Sequence, residues 1–214
     1  MIMELKEISA ALQTGSAKKT KELVSQAVEE GFSAQQILNE GLIAGMDVIG
    51  SKFRDGTIYI PEVLVSARAM TQSIEILKPL LFADGVKPAG KVCVGTVKGD
   101  LHDIGKNLVK LMMESKGLEV LDLGTDVAPE AFIKAAIEND CAVIGLSALL
   151  TTTRPVMAEV VKAAEAAGVR DKVKIIIGGA AVGADFKDET GADYYTPDAA
   201  TAAEIALAIV KGEM

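Results

Sequence analysis

The sequence predicts an α + α/β protein: an N-terminal four-helix bundle, then a flavodoxin-like doubly wound sheet of five parallel strands. Three observations carry this. From Glu4 to about Phe82 apolar residues return at helical spacing with almost no strand-like alternation. After Gly90, short β-rich runs alternate with helical segments, the grammar of right-handed crossovers in a parallel sheet. Between the two halves lies Ala83-Asp84-Gly85-Val86-Lys87-Pro88-Ala89, a stretch with Gly and Pro and no apolar period. The expected organisation is therefore a helical unit over 1–82, a linker over 83–89 and an α/β unit over 90–214.

In the first half, Thr14-Gly15-Ser16 stops one short helix and caps a second, which carries Leu23, Val24, Ala27 and Val28 and closes at Gly31. Ser33 caps a third helix with Ile37, Leu38, Leu42, Ile43, Met46, Val48 and Ile49 on its apolar face, before a turn at Arg54-Asp55-Gly56. Pro61 suits the first turn of a fourth, which carries Val63, Leu64, Ala67, Met70, Ile74 and Leu77 and runs up to Pro79. In the second half the expected strands are Lys91 to Val97, Leu118 to Leu123, Ala142 to Ala148, Val173 to Ile177 and Asp193 to Thr196.

Composition narrows the function. The 214 residues hold 22 Lys+Arg against 30 Asp+Glu, a net charge of −8, which argues against a nucleic-acid partner. Half the residues are hydrophobic and 24% charged, excluding a disordered or fibrous chain. Trp is absent, with three Tyr and five Phe, so the cores are aliphatic, as suits a parallel sheet covered by helices. Cys93 and Cys141 sit in apolar runs and read as reduced core thiols. No apolar run reaches membrane-spanning length and no basic leader precedes one, so a cytoplasmic protein without a membrane partner is expected.

In flavodoxin-like sheets ligands bind beyond the carboxyl ends of the strands, at the loops after strands one and three. After the first strand comes Lys98-Gly99-Asp100-Leu101-His102-Asp103-Ile104-Gly105-Lys106-Asn107, with the chain's one histidine. Asp100 is spaced to accept an imidazole N–H, which would fix the tautomer and leave the other nitrogen free to donate to a metal. A single histidine cannot hold a bare zinc ion, which needs about four ligands. A metal bound here must arrive already coordinated, most simply in a macrocycle with an open axial position. The loop after the third strand offers Ser147, Leu149, Thr151 and Thr153; Thr153, ahead of Pro155, equally suits a helix cap. After the fourth strand, Gly178-Gly179 lets a ligand approach the backbone closely.

Together, Asp100-x-His102-x-x-Gly105, Ser147-x-Leu149 and Gly178-Gly179, in this order at strand ends, resemble the signature of the cobalamin-binding domain. That family includes methionine synthase, cobalamin-dependent mutases and the corrinoid proteins of anaerobic methyltransferase systems. The segment from Tyr59 to Met70 is similar to the helical cap that precedes this domain in methionine synthase and the corrinoid proteins, so the resemblance covers nearly the whole chain. It implies His102 as the lower axial ligand of cobalt, displacing the cofactor's benzimidazole, with Asp100 behind it and Thr153 where methionine synthase places a Ser. It implies that Ile104 and Gly105 lie under the corrin, and that Ser147, Leu149, Thr151, Gly178 and Gly179 line the slot for the displaced nucleotide tail. Tyr59, Ile60, Val63 and Leu64 are expected to cover the methyl-bearing face.

The implied function is a methyl carrier. It takes the group from a substrate-specific methyltransferase handling a methylamine, methanol, a quaternary amine or an aryl methyl ether. It passes the group to a second methyltransferase acting on tetrahydrofolate or coenzyme M, with a reductive activation protein restoring the cobalt. The competing readings are a cobalamin-dependent sensor, a mutase subunit and, outside cobalamin proteins, a flavodoxin-like receiver or nucleotide-binding module.

Overall fold

The computed structural model describes residues 4–214, and the chain divides between Lys87 and Pro88 into two compact units. In the first, α1 (Leu5–Gln13) and α2 (Ala17–Glu29) are separated by Gly15 at φ +70°. A side chain there would meet Val65 Cγ2 at 2.5 Å, so both conformation and space demand glycine. Ser16 Oγ accepts the Lys19 N–H, and Ser33 with Gln36 forms a reciprocal capping box, so the second and third helices begin at the expected residues.

The third helix, α3, is continuous in its backbone but built of three pieces: Ala34–Gln36, a π-helical stretch Ile37–Ile43, and Ala44–Arg54. The hydrophobic pattern gave no sign of the π stretch. Gly41 and Gly45 within it and just after it press against Ile8 and Leu12 of α1. Met46 and Ile49 are buried as expected, but Val48, expected on the same face, is exposed. The fourth helix, α4 (Ile60–Ala83), continues through Pro79 rather than ending there. Pro79 and Glu75, whose carbonyl loses its partner, both face solvent, so water can serve the freed acceptor. Val63 is fully buried with Ala67, Met70 and Leu77 on the inner stripe of α4, which removes it from any exposed covering surface; Tyr59, Ile60 and Leu64 remain exposed.

The second unit is a parallel sheet in the order β2-β1-β3-β4-β5. Its strands are β1 (Lys91–Thr96), β2 (Glu119–Asp122), β3 (Val143–Ser147), β4 (Lys174–Gly178) and β5 (Tyr194–Tyr195). Between and after them run α5 (Ile104–Ser115), α6 (Pro129–Asn139), α7 (Val156–Ala166), α8 (Ala184–Thr190) and α9 (Ala199–Val210). The side of the sheet bearing Cys93, Ile144, Leu146, Ile175 and Ile177 packs on Phe132 of α6 and Met157, Val160 and Ala164 of α7. Both cysteines are free and buried. Burial on both faces is why these strands read as unbroken apolar runs. The register aligns Thr96, Ser147 and Gly178 side by side, so β1, β3 and β4 end in one row, and the loops after β1 and β3 leave the sheet together at the switch point.

Candidate functional site

The loop after β1 is folded by its own backbone. Gly99 takes φ +84°, and Asp100 N–H donates to Val97 O at 3.1 Å, turning the Asp100 side chain into the unit, where it is fully buried. A buried carboxylate is costly unless its lone pairs are filled, and here they are. Oδ1 accepts the His102 backbone N–H at 3.1 Å and His102 Nδ1 at 2.7 Å. Oδ2 accepts Leu149 N–H at 2.8 Å, Leu150 N–H at 3.3 Å and Thr153 Oγ1–H at 2.8 Å. Burial alone would raise this carboxyl, but the donors on His102, Leu149 and Thr153 outweigh it and hold the group well below the usual carboxylate range. Asp100 is therefore an anion at neutral pH and can only accept. His102 Nδ1 must carry the proton, which leaves the lone pair on Nε2. The imidazole is half exposed, 51% against 0% for Asp100.

The structure thus brings Asp100, His102 and Thr153 into one chain of hydrogen bonds across the two loops. The Thr153 methyl is accommodated: its Cγ2 faces Gly99 at a point where an added Cβ would sit 3.5 Å away. Leu149 enters this constellation through its backbone N–H, while its side chain stays exposed, as do those of Leu150 on the same loop and of Leu101 and Ile104 on the His102 loop. Gly105 has open space where a side chain would be. Ser147 lies half-buried in the terminal row, and Thr151 is exposed in the loop. At Gly179, φ is +123° and a Cβ would run into the Ala148 carbonyl oxygen; at Gly178 it would sit 3.1 Å from Thr196 O. Close approach of neighbouring backbone requires glycine at 179 and leaves little room beyond a hydrogen at 178.

Further ties were not foreseen from sequence. Thr96, fully buried at the end of β1, donates its hydroxyl to His102 O at 2.8 Å. Asp126, itself at φ +56°, accepts Gly99 N–H at 2.7 Å and donates its N–H to Asp100 O at 3.0 Å. Lys106, 3% exposed in the first turn of α5, reaches Asp122 Oδ1 at 2.6 Å. Thr96 could have been found as the one hydroxyl inside an apolar strand, at its carboxyl end.

Among the described residues no group of three or more His, Cys, Asp or Glu side chains could hold a metal ion. One oriented imidazole with a free Nε2, with Leu101 and Ile104 exposed on its own loop and Leu149 and Leu150 exposed on the loop it is tied to through Asp100, fits a metal that brings its other ligands with it. Fold and site define a flavodoxin-like domain that presents a single oriented imidazole at its switch point.

Residues 90–207 match the family model described as B12 binding domain, and residues 4–78 match a second model of the same description. A corrinoid protein of Desulfitobacterium hafniense is 36% identical over 214 residues, covering 98% of this chain and 99% of its own. Dimethylamine corrinoid protein 3 of Methanosarcina acetivorans is 38% identical over 198 residues, 92% of each chain. The crystal structure of the methanol:cobalamin methyltransferase complex of Methanosarcina barkeri superposes with a TM-score of 0.84 at 32% identity, covering 97% of this chain and 80% of that one. The chain belongs to the B12-binding corrinoid protein family. No helix among the described residues is long and apolar enough to cross a membrane.

Proposed function

We propose that this protein is a corrinoid methyl carrier in which His102 Nε2 is the axial ligand of cobalt. The bound corrinoid supplies a cobalt centre that takes on and gives up a methyl group. The chain's residues orient and tune that centre. Asp100 fixes the tautomer that keeps the Nε2 lone pair available, and Leu149, Leu150 and Thr153 keep Asp100 ionised and still. Ser147, Thr151, Gly178 and Gly179, at and just beyond the ends of β3 and β4, would receive the displaced nucleotide tail, and Ile104 and Gly105 would contact the ring.

The relatives support the first of three partners. Their names point to methylamine and methanol systems, so a substrate-specific methyltransferase loads this chain. A second methyltransferase, to tetrahydrofolate or coenzyme M, unloads it, and a reductive activation protein rescues oxidised cobalt. The observation that carries the reading is the 2.7 Å contact of a half-exposed imidazole with a buried, ionised carboxylate. Reconstitution with hydroxocobalamin tests it. The expected product is a coloured stoichiometric complex whose spectrum shows the benzimidazole displaced, and which takes up methyl groups from a methylamine or methanol methyltransferase. A colourless protein, or a complex no methyltransferase can methylate, would contradict it.

A further inference from the structure

His102 is held at three atoms. Asp100 Oδ1 takes two of them, the backbone N–H and Nδ1. The third is the backbone carbonyl, and Thr96 Oγ1 grips it at 2.8 Å. Thr96 reaches this bond from the last position of β1, between β2 and β3 in the sheet, with no solvent exposure. Its own backbone is fully engaged, N–H to Gly124 O at 3.0 Å and carbonyl to Val127 N–H at 3.0 Å, so its side chain projects from backbone held on both sides. The opposing anchor, Asp100, sits in a loop, and α5 starts only at Ile104. Between the sheet and that helix, the Thr96 hydroxyl is the bond that ties the backbone of His102 itself to a strand.

We infer that Thr96 is a positioning residue for the axial ligand: its hydroxyl sets the height and tilt of the His102 backbone, so that the imidazole meets Asp100 and presents Nε2 outward. Without it, His102 hangs from Asp100 alone and its ring swings about that carboxylate. A buried threonine ending a strand could instead be packing only, its Cγ2 filling space. Thr96→Val separates these roles, because it keeps the shape and removes the hydroxyl. The inference rests on His102 being the ligand, but its first readout needs no cofactor.

In the apo protein the sole histidine gives a single set of ring ¹⁵N and ¹H NMR signals. Thr96→Val is expected to broaden them and mix the tautomers, and to weaken hydroxocobalamin binding about 10- to 100-fold, the range typical of residues that orient a metal ligand. Thr96→Ser, which restores the hydroxyl, is expected to recover both. If Thr96→Val does not fold, Thr96→Ala loses the same hydroxyl without the second methyl and serves in its place. Sharp, wild-type ring signals and wild-type affinity in the hydroxyl-free variant would overturn the inference, whatever its melting temperature. Failure of the wild-type protein to bind hydroxocobalamin would instead overturn the reading of His102 as ligand, and the apo signals would still decide the role of Thr96.

Discussion

Asp100→Asn changes one atom and should invert the histidine. Asn offers one carbonyl oxygen and one NH2 where Asp100 offered two acceptors. With the oxygen toward the β3 loop it satisfies Leu149 N–H, Leu150 N–H and Thr153 Oγ1–H and turns its NH2 on His102. One backbone donor, His102 N–H, is then orphaned. In the reverse orientation both Leu149 and Leu150 lose their acceptor, while Thr153 can fall back on Leu150 O at 3.1 Å. An orphaned donor costs about 1–3 kcal/mol, so the first orientation wins by one such group, about 5- to 150-fold in population. Facing an NH2, Nδ1 must accept, and the proton moves to Nε2, the atom that would have to donate to a metal. The variant should fold about 2–4 kcal/mol less stably, for one lost donor and weakened bonds at the others. In ¹⁵N-histidine NMR of the apo protein, Nδ1 is pyrrole-type in the wild type and should become pyridine-type in the variant. A variant that keeps its proton on Nδ1 would refute the reasoning.

Three other outcomes follow from the same geometry. Thr153→Val, which removes a bond to an ionised group, should cost about 1.5–3 kcal/mol in urea unfolding, against about 1 kcal/mol for Thr153→Ser, which loses only a methyl; equal costs would deny the hydroxyl its role. Gly179→Ala should destabilise by about 3 kcal/mol or more, because a left-handed backbone and the Ala148 carbonyl both oppose it, whereas Gly124→Ala, at φ +83° but in open space, should cost about 1 kcal/mol in the same denaturation series. The Asp100 carboxyl is depressed in the folded state, so its contribution is complete above the ordinary carboxylate value near 4 and drains away as pH falls below it. Acid titration of stability should therefore fall more steeply below about pH 4 in the wild type than in Asp100→Asn.

What the sequence disclosed was whatever local chemistry dictates. Ser16 and Ser33 start their helices because a hydroxyl there fills an orphan N–H, and the strands are legible because both faces are buried. Asp100 and His102 were legible as a pair because the i, i+2 spacing at a strand end suffices to bring them together. The unread features depend on partners distant in the chain. The π stretch in α3 lies where Gly41 and Gly45 press on Ile8 and Leu12 of α1, and the exposure of Val48 and the full burial of Val63 depend on which neighbouring helix each meets, which period alone does not fix. Leu149 meets Asp100 by an N–H that every residue type carries, so no side-chain pattern could reveal it. Asp126 meets Gly99 from a loop 27 residues on, and Thr96, only six residues before His102, acts through a backbone carbonyl that no side-chain pattern announces.

The central claim is that the nitrogen beneath cobalt belongs to His102 and not to the cofactor. Electron paramagnetic resonance of the hydroxocobalamin-loaded protein, reduced to cobalt(II), decides it when the protein carries ¹⁵N-histidine and the cofactor is unlabelled. Because this chain has one histidine, a nitrogen splitting that changes from a triplet to a doublet on labelling identifies His102 as the ligand, which is the predicted result. A triplet that survives labelling would leave the benzimidazole in place and contradict the account.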